Sequence, residues 1–403
     1  MQKKRYLWGN GRSSNIFFEA KIWTGSPDCL WGKKMKVLYI TNIPSPYKVD
    51  FYNELGKYCE LTALFETDAS TERSEEWKKY CFDTFEGIIL KGRRMSADTA
   101  FCPEIVKHLQ KGLYDIVVLT VLASPTALLA AYTLQHRKIP YYYEGDGGFA
   151  GQASGVKATL KRYIIRAAEK CLSSSKEFDR YCITYGAKPE NIIRYPFTSV
   201  KKADCLTEKL TAEEKKQWKE EFGVAEECAI ISVGQFIPRK GMDLLLHCCK
   251  DLPENTGVYI VGGTPPQEYL AICEENHLQN VHFLDFMPKD RLMKFFRAMD
   301  IFALFTREDI WGLVINEAMA AGLPVISTDR CIAALELIRN GEEGYIVVNE
   351  DLEQMKKALL ALTESSERRE EMSARAIDRI QSYTIENMAA EHNRILTQKG
   401  NRS

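Results

Sequence analysis

The chain has 403 residues, 45% of them hydrophobic, which is enough for two or three domains with full-sized cores. Its formal net charge of -1 gives no general reason to expect a nucleic-acid partner. No apolar run approaches the roughly 18 residues of a membrane span.

Residues 1–34 stand apart from the rest. They hold three of the six tryptophans (Trp8, Trp23, Trp31) and seven basic against two acidic side chains, with neither strand nor helix periodicity. Their longest apolar run is three residues, too short for a signal-peptide core. The expectation is a poorly ordered extension, with Met35 of "MKVLYITNIPSPY" as the structural start and the natural translational one. An arm folded onto the body through its tryptophans is the alternative. The body without it has 47 basic and 53 acidic side chains, a net -6.

From Met35 onward, short β-rich runs alternate with helical patterns. "KVLYIT", "LTALFE", "GIIL", "DIVVLT", "PYYYEGD" and "CLSSS" read as strands, continuous in apolar residues as parallel strands buried on both faces are. Helices are expected at about 46–57, 103–112, 124–136 and 155–169. After "NIIRYPF" a charged stretch reads as a linker and an amphipathic helix. A second strand series follows: "AIISVGQF", "GVYIVGG", "VHFLDF", "DIFALFT", "PVISTD" and "GYIVV". The pattern predicts an α/β protein of two tandem units, 35–200 and 201–381, with ligands beyond the carboxyl ends of strands where the two sheets face a cleft. The chain then ends in helices, with a break near Ser382 to Thr384 and a final segment 382–403.

The twelve cysteines (Cys29, Cys59, Cys81, Cys102, Cys171, Cys182, Cys205, Cys228, Cys248, Cys249, Cys273, Cys331) form no C-x-x-C pair. They read as reduced, buried small hydrophobes of a cytoplasmic protein. The six histidines are scattered, with no H-E-x-x-H. No metal site and no cofactor are expected.

Three loops of the second unit carry chemistry. "GQFIPRKGMDLLL" sets Arg239 and Lys240 before Gly241 and a helix start, where a phosphate relieves the repulsion between a lysine and the helix dipole. An ordinary exposed turn is the plainer account. "VGGTPPQEY" ends a strand with Gly262 and Gly263, which let a ligand approach the backbone and equally serve a simple turn. "LDFMPKDRL" puts Phe286 and Met287 at a strand end, either flanking a flat base or packing in the core.

The richest stretch is "TREDIWGLVINEAMAAGLPVIS". Gly312, Leu313 and Val314 form the first turn of a helix, whose unpaired N–H groups can hold a pyrophosphate. Glu317 lies one turn later, where a carboxylate can accept both hydroxyls of a vicinal diol such as ribose. Asp309 precedes the turn, on the side where a sugar would hang. Read plainly, Glu317 is a solvated helix acid and Asp309 an N-cap. The small residues Ala318, Ala320, Ala321 and Gly322 favour a closely packed helix instead.

With "SVGQFIPRKG", "DIWGLVINE", "EAMAAGLPVIST" and "LELIRNGEEGYIV" in this order over most of 229–348, the second unit resembles the donor half of the retaining family 4 (group 1) glycosyltransferases. The resemblance implies a GT-B fold, two Rossmann-like domains facing across a cleft, with the last helix crossing back onto the first. It implies that Lys240 and the backbone from Gly312 to Val314 bind the diphosphate, Glu317 the ribose and Asp309 the transferred sugar, with Trp311 in the same motif. The first acid of the family's E-x7-E pattern is Asp309 here, with Glu308 beside it as a second candidate. Gln235 stands where an arginine is common in the phosphate loop. In the first domain "YYYEGDGGF" falls where many relatives carry a histidine near the reacting centre, which makes Glu144 or Asp146 its replacement.

The chain contains no D-x-D, so the departing diphosphate is left to Lys240 and the helix dipole. By resemblance the reaction is a metal-independent, retaining transfer from a nucleotide diphosphate sugar to a glycan or lipid-linked acceptor, in bacterial cell-surface polysaccharide synthesis. A sugar-nucleotide 2-epimerase and an inactive nucleotide-sugar-binding subunit are the alternatives. A nicotinamide enzyme is disfavoured, because "NIPSPY" stands where G-x-G-x-x-G would follow the first strand. Lys157, Lys161, Arg162, Arg166 and Lys170 repeat along "GVKATLKRYIIRAAEKC". That face fits an anionic membrane at the inner leaflet and fits a solvated surface equally well.

Overall fold

The computed structural model describes residues 34–68, 80–122, 124–151 and 154–398, so the expected N-terminal extension, apart from Lys34, lies outside the described residues. The first half supplies β1 (Lys36–Thr41), β2 (Glu60–Phe65), β3 (Glu86–Ile89), β4 (Arg93–Arg94), β5 (Ala100–Phe101), β6 (Ile116–Leu119), β7 (Tyr142–Gly145), β8 (Lys170–Ser173) and β9 (Ile192–Arg194). Seven of these form a parallel sheet in the order β3-β2-β1-β6-β7-β8-β9, and β4 pairs with β5 as a separate antiparallel ribbon. The second half supplies β10 (Cys228–Val233), β11 (Thr256–Val261), β12 (Val281–Leu284), β13 (Ile301–Leu304), β14 (Val325–Thr328) and β15 (Gly344–Val347). They form a second parallel sheet, ordered β12-β11-β10-β13-β14-β15.

These are two Rossmann-like sheets, and their apolar strands explain them. Every residue of β10 and β11 is buried, because helices cover both faces of a parallel sheet. In each sheet the strand order reverses beside a central strand, between β1 and β6 and again between β10 and β13. In sheets of this kind the loops leaving the strands on either side of such a reversal part in opposite directions, and ligands bind between them.

Local chemistry sets the helix starts. Ser124 accepts the Ala127 N–H at 2.9 Å ahead of Pro125, fixing the start of the helix Pro125–His136. Thr211 and Glu214 cap each other's backbone at the start of Ala212–Phe222, and Gly223 ends it at φ 68°.

Three elements differ from the sequence reading. The helix expected at 103–112 shrinks to Ile105–His108, because Leu109 leaves helical geometry to bury its side chain. Arg137 then takes the Val106 and Leu109 carbonyls at 3.0 and 2.7 Å. Strand β9, within "NIIRYPF" just ahead of the linker, adds to the expected strands. The basic helix stops at Ile165, so Lys170 belongs to β8 and not to a helical face. Lys161 folds inward over the Tyr181 and Tyr185 rings, at 5.0 and 4.9 Å, while Val156 is 77% exposed. The five basic residues therefore do not form one continuous helical stripe.

An apolar core runs from the first sheet through Tyr195, Phe197 and Val200 of the linker to Trp311 and the second sheet. The last helix, Ile385–Thr397, packs against Pro46–Leu55 of the first half, with the His392 ring 4.7 Å from that of Phe51. The cysteines described are free, and all but Cys81 and Cys273 are buried. Among the described residues no helix is long and apolar enough to cross a membrane.

Candidate functional site

The crevice of the second sheet is built by two loops tied to each other. After β10 the chain makes a single turn, Pro238–Lys240, and bends at Gly241 with φ 65°. A Cβ at Gly241 would stand 1.9 Å from the Phe305 carbonyl oxygen, so only glycine lets the two loops pack this closely. The loop after β13 answers with Thr306 Oγ1 and the Arg307 N–H on the Arg239 carbonyl, both at 2.8 Å. Arg307 clamps the arrangement with two bonds to Asp243, at 2.9 and 2.6 Å, and a third to Glu350.

This clamp brings the basic turn against the acidic motif. Lys240 Nζ lies 2.5 Å from Asp309 Oδ2, and Arg239 Nη1 lies 3.7 Å from Asp309 Oδ1. Asp309 is 7% exposed, held by its N–H on the Arg330 carbonyl. Glu308 points the other way, exposed, and meets Arg330 at 3.1 Å. Of the two adjacent acids, only Asp309 shares a site with the lysine.

Gly312, at φ 99°, starts the helix Leu313–Ala320, and a Cβ there would stand 3.7 Å from Asp309 Oδ2. The first amides of a helix lack partners within it, so a cation, a helix dipole and a carboxylate converge on one spot. One turn on, half-buried Glu317 accepts the Ser199 hydroxyl at 2.9 Å. Burial pushes its carboxyl above the usual range, opposed by the charge of Lys289 and the Ser199 bond.

Other expected residues have mixed placements. Trp311 is corrected: its indole turns into the core, 2% exposed, donating to Asn316 at 2.8 Å and meeting Phe197 edge-on. A buried indole N–H needs a partner, and Asn316 supplies one inside. Gly262 serves the loops themselves, since a Cβ there would stand 2.2 Å from the Gly234 carbonyl oxygen. Gly263 is open, at φ 114°. Phe286 is 53% exposed at the end of β12, while Met287 is buried. Gln235 is exposed beside the turn.

From the first half, Glu144 is also corrected. It is 5% exposed and engaged within the fold, accepting from Tyr39 at 3.1 Å and meeting His392 Nε2 of the last helix at 3.2 Å. A buried carboxylate needs such donors, and the crossing helix brings one. Asp146 stays half-exposed, with the Tyr47 hydroxyl 2.5 Å away. The next residue, Gly147, touches the second half: a Cβ there would stand 1.8 Å from the Ile310 carbonyl oxygen. Phe149 continues the contact, lying under the Arg330 guanidinium at 4.4 Å. Ser199, Lys289, Arg307, Arg330 and Phe149 were not anticipated. None belongs to a periodic pattern, although Arg307, Lys289 and Phe149 stand inside the quoted stretches "TREDIWGLVINEAMAAGLPVIS", "LDFMPKDRL" and "YYYEGDGGF".

Among the described residues no group of three or more His, Cys, Asp or Glu side chains is placed to hold a metal ion. The chemistry on offer is electrostatic: Lys240 and Arg239 beside Asp309 at the start of a helix, with Glu317 one turn on accepting a hydroxyl.

Residues 214–379 match the family described as Glycosyl transferases group 1. Among curated proteins the chain is 27% identical over 275 residues to the D-inositol 3-phosphate glycosyltransferase of Corynebacterium glutamicum, covering 65% of this chain and 64% of that one. It is 32% identical over 107 residues to the lipopolysaccharide glucosyltransferase WaaG of Escherichia coli, covering 25% and 28%. The chain thus spans less than two thirds of the length of these relatives. Among solved structures it resembles Anabaena Alr3699/HepE in complex with UDP, with TM-score 0.72 at 17% identity over 90% of this chain and all of that one. It also resembles WaaG, with TM-score 0.67 at 17% identity over 90% and 99%. At such identities the likeness is one of fold, the two-domain GT-B arrangement.

Proposed function

We propose that this protein, whose residues 214–379 match the family described as Glycosyl transferases group 1, transfers a sugar from a nucleotide diphosphate sugar to a hydroxyl of a glycan or lipid-linked acceptor. The observation that carries the reading is the Lys240–Asp309 pair at the start of the helix Leu313–Ala320. A lysine beside a helix N-terminus suits a diphosphate, and an acid next to it suits the hydroxyls of the sugar joined to that diphosphate. The relatives with UDP in their structures and glycosyltransferase in their names support the donor class.

In the proposed reaction the bond between the sugar's anomeric carbon and the diphosphate oxygen breaks as the acceptor oxygen bonds to that carbon. The departing diphosphate keeps the electron pair, and the acceptor's proton passes to one of its oxygens on the same face, which retains configuration. Lys240 and the helix amides stabilise the leaving group; preorganised donors of this kind contribute about 3 to 4 kcal/mol each. Asp309 accepts from the sugar hydroxyls, Glu317 from the ribose, and exposed Phe286 covers the base. No step draws on a metal. The setting is the cytoplasmic face of a membrane, in cell-surface polysaccharide synthesis, with Lys157 and Arg166 toward the lipid.

The test is a panel of UDP-, GDP- and ADP-sugars scored by thermal shift and by release of the nucleoside diphosphate. One nucleotide series should raise Tm and be hydrolysed slowly, with hydrolysis lost in Lys240→Ala. No shift from any of them, or conversion to an epimer without diphosphate release, overturns the proposal.

A further inference from the structure

Two stretches of chain pass between the halves, the linker after β9 and the segment before the last helix. They meet at Val200, whose carbonyl accepts the Ile385 N–H at 2.9 Å. The residue before it, Ser199, is 4% exposed and engaged at both ends. Its hydroxyl donates to Glu317 Oε1 at 2.9 Å, and its carbonyl accepts from Lys289 Nζ at 2.6 Å. Lys289 is anchored in turn 3.3 Å from Asp204, further along the linker. Asn316, beside Glu317, reaches the Phe197 carbonyl and the Thr198 hydroxyl, each at 3.3 Å. The donor helix is thus strapped to the linker by Asn316 and Glu317, and the neighbouring helix Lys289–Ala298 by Lys289.

A carboxylate offers about four acceptor positions, so one hydroxyl donor fixes its orientation and still leaves room for a diol. A half-buried acid with no such donor would swing among rotamers and lose part of its affinity to the cost of ordering it. Lys289 adds a positive charge that favours the ionised, accepting form, against the nearby charge of Asp204.

We propose that Ser199 is a positioning residue for nucleotide recognition, holding Glu317 in the orientation that receives the ribose diol, so that the linker itself takes part in reading the donor. This rests on the assignment of Glu317 to the ribose. Ser199 touches no substrate; it acts through the carboxylate.

The test is calorimetric titration of the full chain with UDP, GDP and ADP, followed by the 2′,3′-dideoxy form of the nucleotide that binds most tightly. Ser199→Ala should weaken the ribonucleotide about tenfold and leave the dideoxy form unchanged. Lys289→Met, which removes the bond to the Ser199 carbonyl, should lose affinity in the same ribose-selective way, and serves if the alanine variant folds poorly. Wild-type affinity in both variants, or an equal loss for both nucleotide forms, overturns the proposal while leaving the ribose assignment standing. Glu317→Gln separates the two ideas: if it leaves the preference for ribose over dideoxyribose intact, or if no nucleotide binds at all, the assignment itself falls and the role of Ser199 with it.

Discussion

Lys240 Nζ and Asp309 Oδ2 are 2.5 Å apart, with 14% and 9% of their side chains exposed. In the proposed reaction the cation for the diphosphate is therefore held, before substrate arrives, by the acid meant for the sugar. Lys240→Ala should lower kcat about 100- to 1000-fold. It should also cost about 3 kcal/mol of stability by leaving Asp309 buried without its partner. Adding Asp309→Asn should recover most of that stability and none of the turnover. Urea unfolding beside steady-state assays checks both. Equal stability of the single and double variants would remove the pairing from the account.

Glu308 offers the matching control. It is exposed and paired with Arg330, so Glu308→Gln should leave kcat/KM within about twofold of wild type, as surface ion pairs contribute little. A large loss would move the sugar-binding role from Asp309 to its neighbour.

Gly147→Ala tests the contact between the halves. A Cβ at that position meets the Ile310 carbonyl oxygen at 1.8 Å, and φ of 152° adds backbone strain. The cleft must open to relieve the overlap, so the radius of gyration in solution scattering should rise and kcat/KM should fall by about 100-fold, as displacement of reacting groups does. Unchanged scattering with full activity would show that the loop yields instead.

Glu66 predicts a pH dependence of stability. It is 1% exposed and accepts from the Ser124 hydroxyl and, at 3.0 Å, the Ala100 N–H. Burial, only partly offset by those bonds, pushes its carboxyl up from 4.5 to about 7. The folded value lies above the unfolded one, so the protonated form favours folding. Stability from this group is full below pH 4.5, declines as pH rises toward 7, and then levels off, a span of about 3 kcal/mol. Glu66→Gln should flatten that decline and be the more stable form at pH 8, measured by urea midpoints.

The helix Gly155–Ile165 presents Val156, 77% exposed, and Leu160 and Tyr163 beside Lys157 and Arg166. Apolar side chains among basic ones suit an anionic lipid surface. Binding to phosphatidylglycerol vesicles should weaken about fivefold for each charge removed at Lys157 and Arg166, and fade with salt. Lys161, folded over its tyrosines, should matter less. Salt-independent binding, or none, would leave the face solvated.

The strands were legible because burial on both faces demands unbroken apolar runs, as in "KVLYIT" and "AIISVGQF". Turns that require glycine were legible too, at Gly241 and Gly312. Side-chain direction was not. Trp311 sits inside the motif yet turns inward, because Asn316 and Phe197 offer its indole a bonded, apolar place. Glu144 looked like a reacting-centre acid, but its partners come from Tyr39 and from His392, more than two hundred residues away. Ser199 and Lys289 left no trace in any period or spacing, since only the folded linker brings them to Glu317. The ribbon β4–β5 was too short to register.

The bond between the Val200 carbonyl and the Ile385 N–H sets the two ends of the second half beside each other. In chain order that half is an insert: the last helix returns to pack on Pro46–Leu55 of the first half, and the chain between leaves and re-enters at this one bond. A domain with adjacent ends can be exchanged without lengthening or straining its host. On the proposed function, the half that reads the donor is therefore built as a cassette, joined to its host through the shared apolar core at Tyr195, Phe197 and Trp311.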